Sequence, residues 1–135
     1  MSNFFENTLR VRYGETDQMG YVYYGNYAQF LEVARTELIR SVGLTYKELE
    51  EMGILLPVVN LNIAYRKAAK YDDLLKLSTQ IKGTISKKIS FATDIYNQDN
   101  QLICRAEVEL IFINASTGKV MNCPKDLNFK LSRYQ

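Results

Sequence analysis

Residues 27–42, Tyr27-Ala28-Gln29-Phe30-Leu31-Glu32-Val33-Ala34-Arg35-Thr36-Glu37-Leu38-Ile39-Arg40-Ser41-Val42, decide the fold class. Tyr27, Phe30, Leu31, Ala34, Leu38, Ile39 and Val42 recur at the i, i+3, i+4, i+7 spacing of one helical face. Gly25 and Asn26 suit the start of that helix, and Gly43 suits its C′ stop. Upstream, Thr8 to Tyr13 sets Leu9, Val11 and Tyr13 against Thr8, Arg10 and Arg12, the period-two signature of a strand with one wet face. Downstream, Thr45-Tyr46-Lys47-Glu48 reads as a capping box opening a short second helix that Gly53 closes. From Ile54 onward the pattern is β. Ile54–Arg66 is an apolar strand with Pro57 near its beginning, where a proline is tolerated. Leu75, Leu77, Thr79, Ile81 and Ile85 form one inward row, and Ile89, Phe91, Thr93 and Ile95 a second. Leu102, Cys104, Ala106, Val108, Leu110 and Phe112 form a third, opposite Arg105, Glu107 and Glu109. Turns fall at Ala68–Asp73, Asn97–Asn100 and Asn114–Lys119. The order is strand, long helix, short helix, then four strands. That order predicts an α+β fold in which one helix packs on a five-stranded antiparallel sheet.

The chain has 135 residues, the size of one domain spanning 1–135. Its apolar fraction of 47% and charged fraction of 24% are those of a soluble globular protein. A net charge of +2, with both signs interspersed, offers no basic stripe for nucleic acid or a membrane surface. Met1 to Arg10 has no apolar core of leader length, and no stretch approaches a membrane span. Cys104 and Cys123 form no C-x-x-C pair and have no histidine beside them, so they read as reduced thiols of a cytoplasmic protein.

The chain contains no histidine. That removes Ser-His-Asp and Cys-His catalysis, His-ligated zinc and any His/acid dyad. Proton chemistry must then run on carboxylates, tyrosines or lysines, helped by backbone dipoles. The loop Gly14-Glu15-Thr16-Asp17-Gln18-Met19-Gly20-Tyr21-Val22-Tyr23-Tyr24 has the means. It sets Asp17 roughly eight residues before the start of the long helix, on a chain loosened by Gly14 and Gly20. A helix start presents unpaired N–H groups and a partial positive charge. Aimed at a substrate carbonyl, those groups would hold a developing oxyanion while the carboxylate attacks or deprotonates a water. On physics alone a loop aspartate more often makes an Asx turn or a cap than it catalyses, and Glu15 has the same reading. Tyr21, Tyr23, Tyr24 and Tyr27 read first as packing and rim residues.

Arg12-Tyr13, Glu15-Thr16-Asp17-Gln18-Met19-Gly20, Val22-Tyr23-Tyr24-Gly25-Asn26-Tyr27 and Phe30-Leu31-Glu32-x-x-Arg35 resemble the 4-hydroxybenzoyl-CoA thioesterase-like branch of the hotdog-fold thioesterases. The likeness continues through Ile63-x-Tyr65 and Ala68 to Leu74 and covers nearly the whole chain. It implies a hotdog fold, a five-stranded antiparallel sheet wrapped around one long helix. The implied assembly is a homodimer whose two sheets run together, and in turn a homotetramer. The implied substrate is an acyl-CoA, or an acyl carrier protein, hydrolysed without metal or cofactor. Asp17 is the implied catalytic carboxylate, and the backbone N–H at Tyr24 or Gly25 the implied carbonyl-polarising group. Many relatives have histidine where this chain has Tyr24, so only the backbone role carries over there.

CoA phosphates call for a basic rim. Two clusters qualify, Arg66-Lys67-x-x-Lys70 and Ser86-Lys87-Lys88-x-Ser90. Related thioesterases place basic and hydroxyl residues where the second falls, so Lys87, Lys88 and Ser90, with Tyr23, are the expected substrate contacts; a solvated hairpin end is the competing reading. The first cluster reads as surface. Glu32 and Arg35, three apart, read as an ion pair, with Glu32 a reserve catalytic candidate. Ile103, Ile111 and Ile113 fall on strand faces that should be wet, either as ordinary surface aliphatics or as cover for a second copy. A dehydratase on the same fold pairs histidine with an acid and is excluded by composition. A non-catalytic acyl-CoA or acyl-carrier-protein binding module is the alternative from another class, and the retained Asp17 argues against it.

Overall fold

A computed structural model describes residues 3–135; Met1 and Ser2, at the head of the segment read above for a leader, lie outside the described residues. The elements run β1 (Phe5–Arg10), α1 (Tyr27–Ser41), α2 (Tyr46–Glu51), β2 (Ile54–Leu55), β3 (Val58–Tyr65), β4 (Leu74–Lys82), β5 (Lys88–Tyr96), β6 (Leu102–Ile111), β7 (Ile113–Asn114) and α3 (Lys125–Leu131). Five strands form one antiparallel sheet in the order β1-β4-β5-β6-β3, and β2 pairs with β7 as a small separate ribbon.

The inward rows fall where the alternation predicts them. Leu75, Leu77, Thr79 and Ile81 of β4 are buried, as are Ile89, Phe91, Thr93 and Ile95 of β5 and Cys104, Ala106, Val108 and Leu110 of β6. The two inward threonines satisfy each other, with Thr79 Oγ1 2.9 Å from Thr93 Oγ1. Tyr27, Phe30, Leu31, Ala34, Leu38 and Ile39 of α1 pack on β1, β4 and β5. The helix stops in a Schellman motif: Gly43 N–H donates to Arg40 O and Leu44 N–H to Ile39 O, with Gly43 at φ +92°. The Thr45 hydroxyl accepts from Glu48 N–H at 3.1 Å, which is half of the expected capping box.

Three expectations need correction, and one element was not foreseen. The first strand is Phe5–Arg10, not Thr8–Tyr13, because Val11 exchanges backbone hydrogen bonds with Asp72 and Asp73 and Tyr13–Glu15 curls into a 3₁₀ turn. The strand expected over Ile54–Arg66 is split at Leu56-Pro57 into β2 and β3. Ile103 is fully buried, not on the wet face. β6 carries an extra residue there, with Ile95 opposite Cys104 but Tyr96 opposite Leu102, so the bulge turns Ile103 inward; Ile111 and Ile113 are half-buried. The sequence reading also missed α3, which buries Leu127 and Leu131 and precedes Tyr134, whose ring stands edge-on to Phe5.

Because α1 lies over β1, β4 and β5, the inner face of the far edge stays open. That edge is β3, and Val58, Val59, Leu61 and Tyr65 along it are each about half exposed. A groove runs between β3 and the near side of α1, lined by Ala28, Gln29, Glu32, Arg35, Val58 and Leu61. No helix among the described residues is long and apolar enough to cross a membrane.

Candidate active site

The loop before α1 is pinned rather than loose. Tyr23 N–H donates to Glu15 O, Val22 N–H donates to Ala69 O, and Thr16 and Tyr21 form isolated bridges with Val22 and Lys70. Gly20 sits at φ +80°, a conformation that favours glycine, and there the chain reverses between Asp17 and Tyr21. Asn26 completes the frame. Its side chain makes no cap on α1; its amide donates to Glu15 O at 2.8 Å and ties the helix start to the loop.

Asp17 is half-buried within that frame. Its Oδ1 accepts from Met19 N–H at 2.9 Å and from Tyr21 N–H at 3.2 Å, an Asx turn. Oδ2 accepts nothing among the described residues. Glu15 is committed elsewhere: its carboxylate accepts from Arg12 N–H at 2.7 Å and pairs with the Arg12 guanidinium at 3.1 Å.

Asp17 lines a cavity of about 380 Å³ with Met19, Tyr21, Val22, Tyr24, Tyr27, Tyr65, Arg66, Lys67 and Ala68. The chain enters α1 through a 3₁₀ turn, Tyr24–Asn26, at its rim. Neither Tyr24 N–H nor Gly25 N–H has a partner among the described residues, as expected at a helix start. Tyr27, at the cavity's inner wall, is pushed up to about 12 by burial, against the pull of the Ala69 backbone N–H, so its phenol stays neutral. The cavity thus joins a residue with one uncommitted carboxylate oxygen, Asp17, and two cations to mostly aromatic walls, with Tyr24 at the helix start among them. A larger hollow of about 620 Å³ lies beyond the C-terminus of α1 around Phe129 and Arg133. It holds no carboxylate, and its Ser41 and Ser132 hydroxyls are bonded to backbone carbonyls.

The expected residues divide. Asp17 and Tyr24 line one cavity, and Gly25 follows Tyr24 in the 3₁₀ turn without itself lining it. Tyr23 stands just outside, its ring resting on Gly25 so closely that an added Cβ would meet Tyr23 Cε2 at 2.9 Å. Lys87, Lys88 and Ser90 do not reach the cavity within one protomer. The register runs Tyr65–Cys104–Ile95, so Lys88 lies seven residues, roughly 24 Å, from the Asp17 end of the sheet. Lys88 and Ser90 also face away from α1, and Lys88 Nζ pairs with Glu109 at 3.0 Å. The cations that do line the cavity are Arg66 and Lys67, which the sequence reading placed on the surface; their place directly after Ile63-x-Tyr65 was the available signal. Glu32 and Arg35 form no ion pair among the described residues. Arg35 is buried, and its Nε has no partner. No three of His, Cys, Asp and Glu gather to hold a metal among the described residues.

Residues 11–131 match the family model described as the thioesterase-like superfamily. The chain belongs to that superfamily. It is 38% identical to YneP of Bacillus subtilis over 82% of this chain and 80% of that protein. It is 32% identical to the acyl-CoA thioesterase YbgC of Haemophilus influenzae over 94% of this chain and 93% of that one. The fold superposes on the crystal structure of DHNA-CoA thioesterase from Staphylococcus aureus with a TM-score of 0.84 and 34% identity, covering 88% of this chain and 80% of the other. The sheet and helix described above are therefore a hotdog fold.

Proposed function

We propose that the acyl-CoA thioesterase activity of this chain is carried by Asp17 Oδ2, with the Tyr24 and Gly25 N–H groups as oxyanion donors. The chain is a thioester hydrolase of the acyl-CoA class, as its kinship supports. The observation that supports the residue assignment is the division of labour on Asp17: Oδ1 is fixed by two backbone N–H groups and Oδ2 is uncommitted, on a residue that lines the same cavity as Tyr24, where the Tyr24 N–H and the adjoining Gly25 N–H are unspent. As a base, Oδ2 takes a proton from water while the hydroxide adds to the carbonyl carbon. The C–O⁻ so formed lies against the amides, the C–S bond breaks, and CoA leaves as the thiol with that proton. As a nucleophile, Oδ2 itself adds to the carbonyl carbon, CoA thiolate leaves, and water cleaves the mixed anhydride. No cofactor enters either route. Arg66 and Lys67, on the cavity wall, suit the phosphates of CoA.

A second copy of the chain completes the site. What supports it is β3, an eight-residue edge with apolar side chains half exposed, the kind of strand that proteins cover or pair. Antiparallel pairing of two β3 edges would set the second copy's Val58 end beside this chain's Tyr65 end, closing the groove between α1 and β3. It would also carry the second copy's Lys87, three strand spacings or roughly 14 Å away, to the same end as Asp17. The resulting homodimer is the catalytic unit and the homotetramer its further assembly. Buried, unpaired Cys104 and Cys123 suit a cytoplasmic location.

Thiol release from a panel of straight-chain, branched and aryl acyl-CoA esters tests the proposal, with wild type and Asp17→Asn run side by side. Turnover that collapses in the variant supports it and ranks the acyl groups. Binding without turnover on every ester overturns it in favour of a carrier-protein substrate or a non-catalytic binder.

A further inference from the structure

Ile63-x-Tyr65 lies within the stretch that matches the family, yet nothing in the proposed chemistry uses the Tyr65 hydroxyl. Tyr65 is the last residue of β3, opposite Cys104 of β6, so its side chain lies on the α1 side of the sheet. Its ring meets Tyr27 edge-to-face at 5.4 Å and 69°. Its hydroxyl donates to the carbonyl oxygen of Tyr24 at 3.3 Å. The same carbonyl already accepts from Tyr27 N–H at the end of the 3₁₀ turn.

Tyr24 C=O and Gly25 N–H are the two ends of one rigid peptide plane. From this geometry we infer that Tyr65 is a positioning residue for the oxyanion donor: its hydroxyl holds and polarises the peptide whose N–H, on Gly25, receives the thioester oxygen. This rests on the assignment of Gly25 as donor made above. Two donors on the carbonyl oxygen draw electron density along the peptide and make its N–H a stronger donor, because hydrogen bonds in a chain reinforce one another. They also fix the plane's orientation, which the 3₁₀ turn alone, resting on a glycine, holds less firmly. A distance of 3.3 Å is long for O–H···O. That suits a bond that tightens when charge appears on the substrate oxygen, as bonds in catalytic sites do on going from the empty to the reacting state. The ring contact with buried Tyr27 sets the aim of the hydroxyl, so strand β3, helix α1 and the oxyanion site are coupled through one side chain.

Tyr65→Phe keeps the ring on Tyr27 and removes only the hydroxyl. Thiol release is measured for wild type, Tyr65→Phe and Asp17→Asn on acetyl-, hexanoyl- and benzoyl-CoA, together with the thermal midpoint of each protein. The expected result for Tyr65→Phe is a kcat lower by about fivefold, by a similar factor on every ester, with KM and the thermal midpoint unchanged; that factor is one modest hydrogen bond present in the transition state. A second readout is the carbonyl stretch of [1-¹³C]benzoyl-CoA bound to Asp17→Asn protein, which should move to higher wavenumber when Tyr65→Phe is added. Unchanged kcat and stretch would overturn the inference. So would a loss confined to KM or varying with acyl length, which would make Tyr65 a wall of the acyl pocket. In those cases a collapsed Asp17→Asn still leaves the thioesterase assignment standing. An Asp17→Asn enzyme as fast as wild type sinks that assignment instead, and the inference with it.

Discussion

Asp17→Asn is the substitution on which the site assignment depends, and the structure says what it should and should not change. The amide oxygen of asparagine can take the place of Oδ1 and keep both N–H bonds, from Met19 at 2.9 Å and Tyr21 at 3.2 Å, so the Asx turn survives. What disappears is the charge and basicity at the position of Oδ2, now an NH₂ group with no lone pair to offer. The Tyr24 and Gly25 N–H groups, the aromatic walls and Arg66 and Lys67 are untouched. A positioned general base is worth roughly 10²–10⁴ in rate. We expect kcat to fall by about 10³-fold, a rise of about 4 kcal/mol in the barrier, with KM within a few-fold and the thermal midpoint nearly unchanged. Asp17→Ala is the necessary contrast. It loses the same chemistry but also strands Met19 and Tyr21 N–H, so it should be less stable by about 2 kcal/mol, at about 1 kcal/mol for each of the two hydrogen bonds. Thiol release with excess ester gives kcat, and thermal melts give the stability difference. An Asp17→Asn enzyme within tenfold of wild type would refute the reasoning and direct attention to Glu32 on α1. A single turnover in H₂¹⁸O then separates the routes: a nucleophilic Asp17 acquires ¹⁸O when the anhydride is cleaved at the enzyme carbonyl, and a base never does.

Other outcomes follow from the same geometry. Arg66→Ala with Lys67→Ala should raise KM for CoA esters about tenfold and leave kcat near wild type, whereas Lys88→Ala should leave KM unchanged because Lys88 is held by Glu109; the opposite pattern would return the phosphate rim to β5. Leu61→Lys in the middle of β3 should give a monomer by light scattering and lose most activity, since it charges the edge that a second copy must cover. Burial pushes Cys104 up to about 12 and Cys123 to about 11, so neither is a thiolate below pH 9; Ellman's reagent should find close to no reactive thiol in the native protein at pH 8 and two on unfolding. Glu109 is held below its usual range by hydrogen bonds from Lys88 and Asn60. Its folded value is depressed, so its contribution to stability is present above the unfolded carboxylate pKa and is lost as pH falls through the folded one. Lys88→Met should therefore flatten the acid limb of a stability–pH curve, and an identical limb in both proteins would show that the pair contributes nothing.

The sheet and α1 were legible because each inward row alternates without interruption and because α1 carries a full apolar stripe. The misreadings lie where a local rule gives way to a neighbour. Ile103 keeps the outward parity of β6 on paper, and only the extra residue opposite Tyr96 turns it inward. Strand β1 was misplaced because Val11 and Tyr13 continue the alternation, while Asp72 and Asp73 take Val11 out of the ladder. Helix α3 offers only Leu127 and Leu131 as a stripe, too little periodicity to recognise in seven residues. In the proposed site, the role proposed for Asp17 came from the family resemblance, while the nearness of Asp17 to the helix start was visible from their spacing. Arg66 and Lys67 were not, because a strand end that bends to a cavity and one that points to water have the same composition. Asn26 looked like a cap and serves as a strut to Glu15, a partner eleven residues away that no capping rule examines.

The two readings open for Asp17 from its sequence, a turn-former or a catalyst, prove compatible once its two oxygens are considered separately. An aspartate with both oxygens free in a loop would sample several rotamers and lose rate in proportion, since catalysis depends on holding the reacting atom near its target. One with both oxygens bonded to N–H groups would be rigid but poorly basic, because hydrogen bonds to the charged form stabilise it. This chain bonds one oxygen and leaves the other. Met19 and Tyr21 N–H fix the plane of the carboxylate, Gly20 at positive φ lets the chain turn tightly enough to deliver both, and Glu15, anchored to Arg12 and to Asn26, stops the turn from sliding along the helix start. On the proposed assignment, the loop therefore needs no histidine to orient its acid. Gly20→Ala tests that logic from outside the cavity. It touches neither substrate nor Oδ2, yet it strains the reversal that brings Tyr21 N–H to Oδ1. It should cost about 1 kcal/mol in stability and reduce kcat more than KM. A Gly20→Ala enzyme that is less stable but fully active would mean that the Asx turn holds the loop and not the carboxylate.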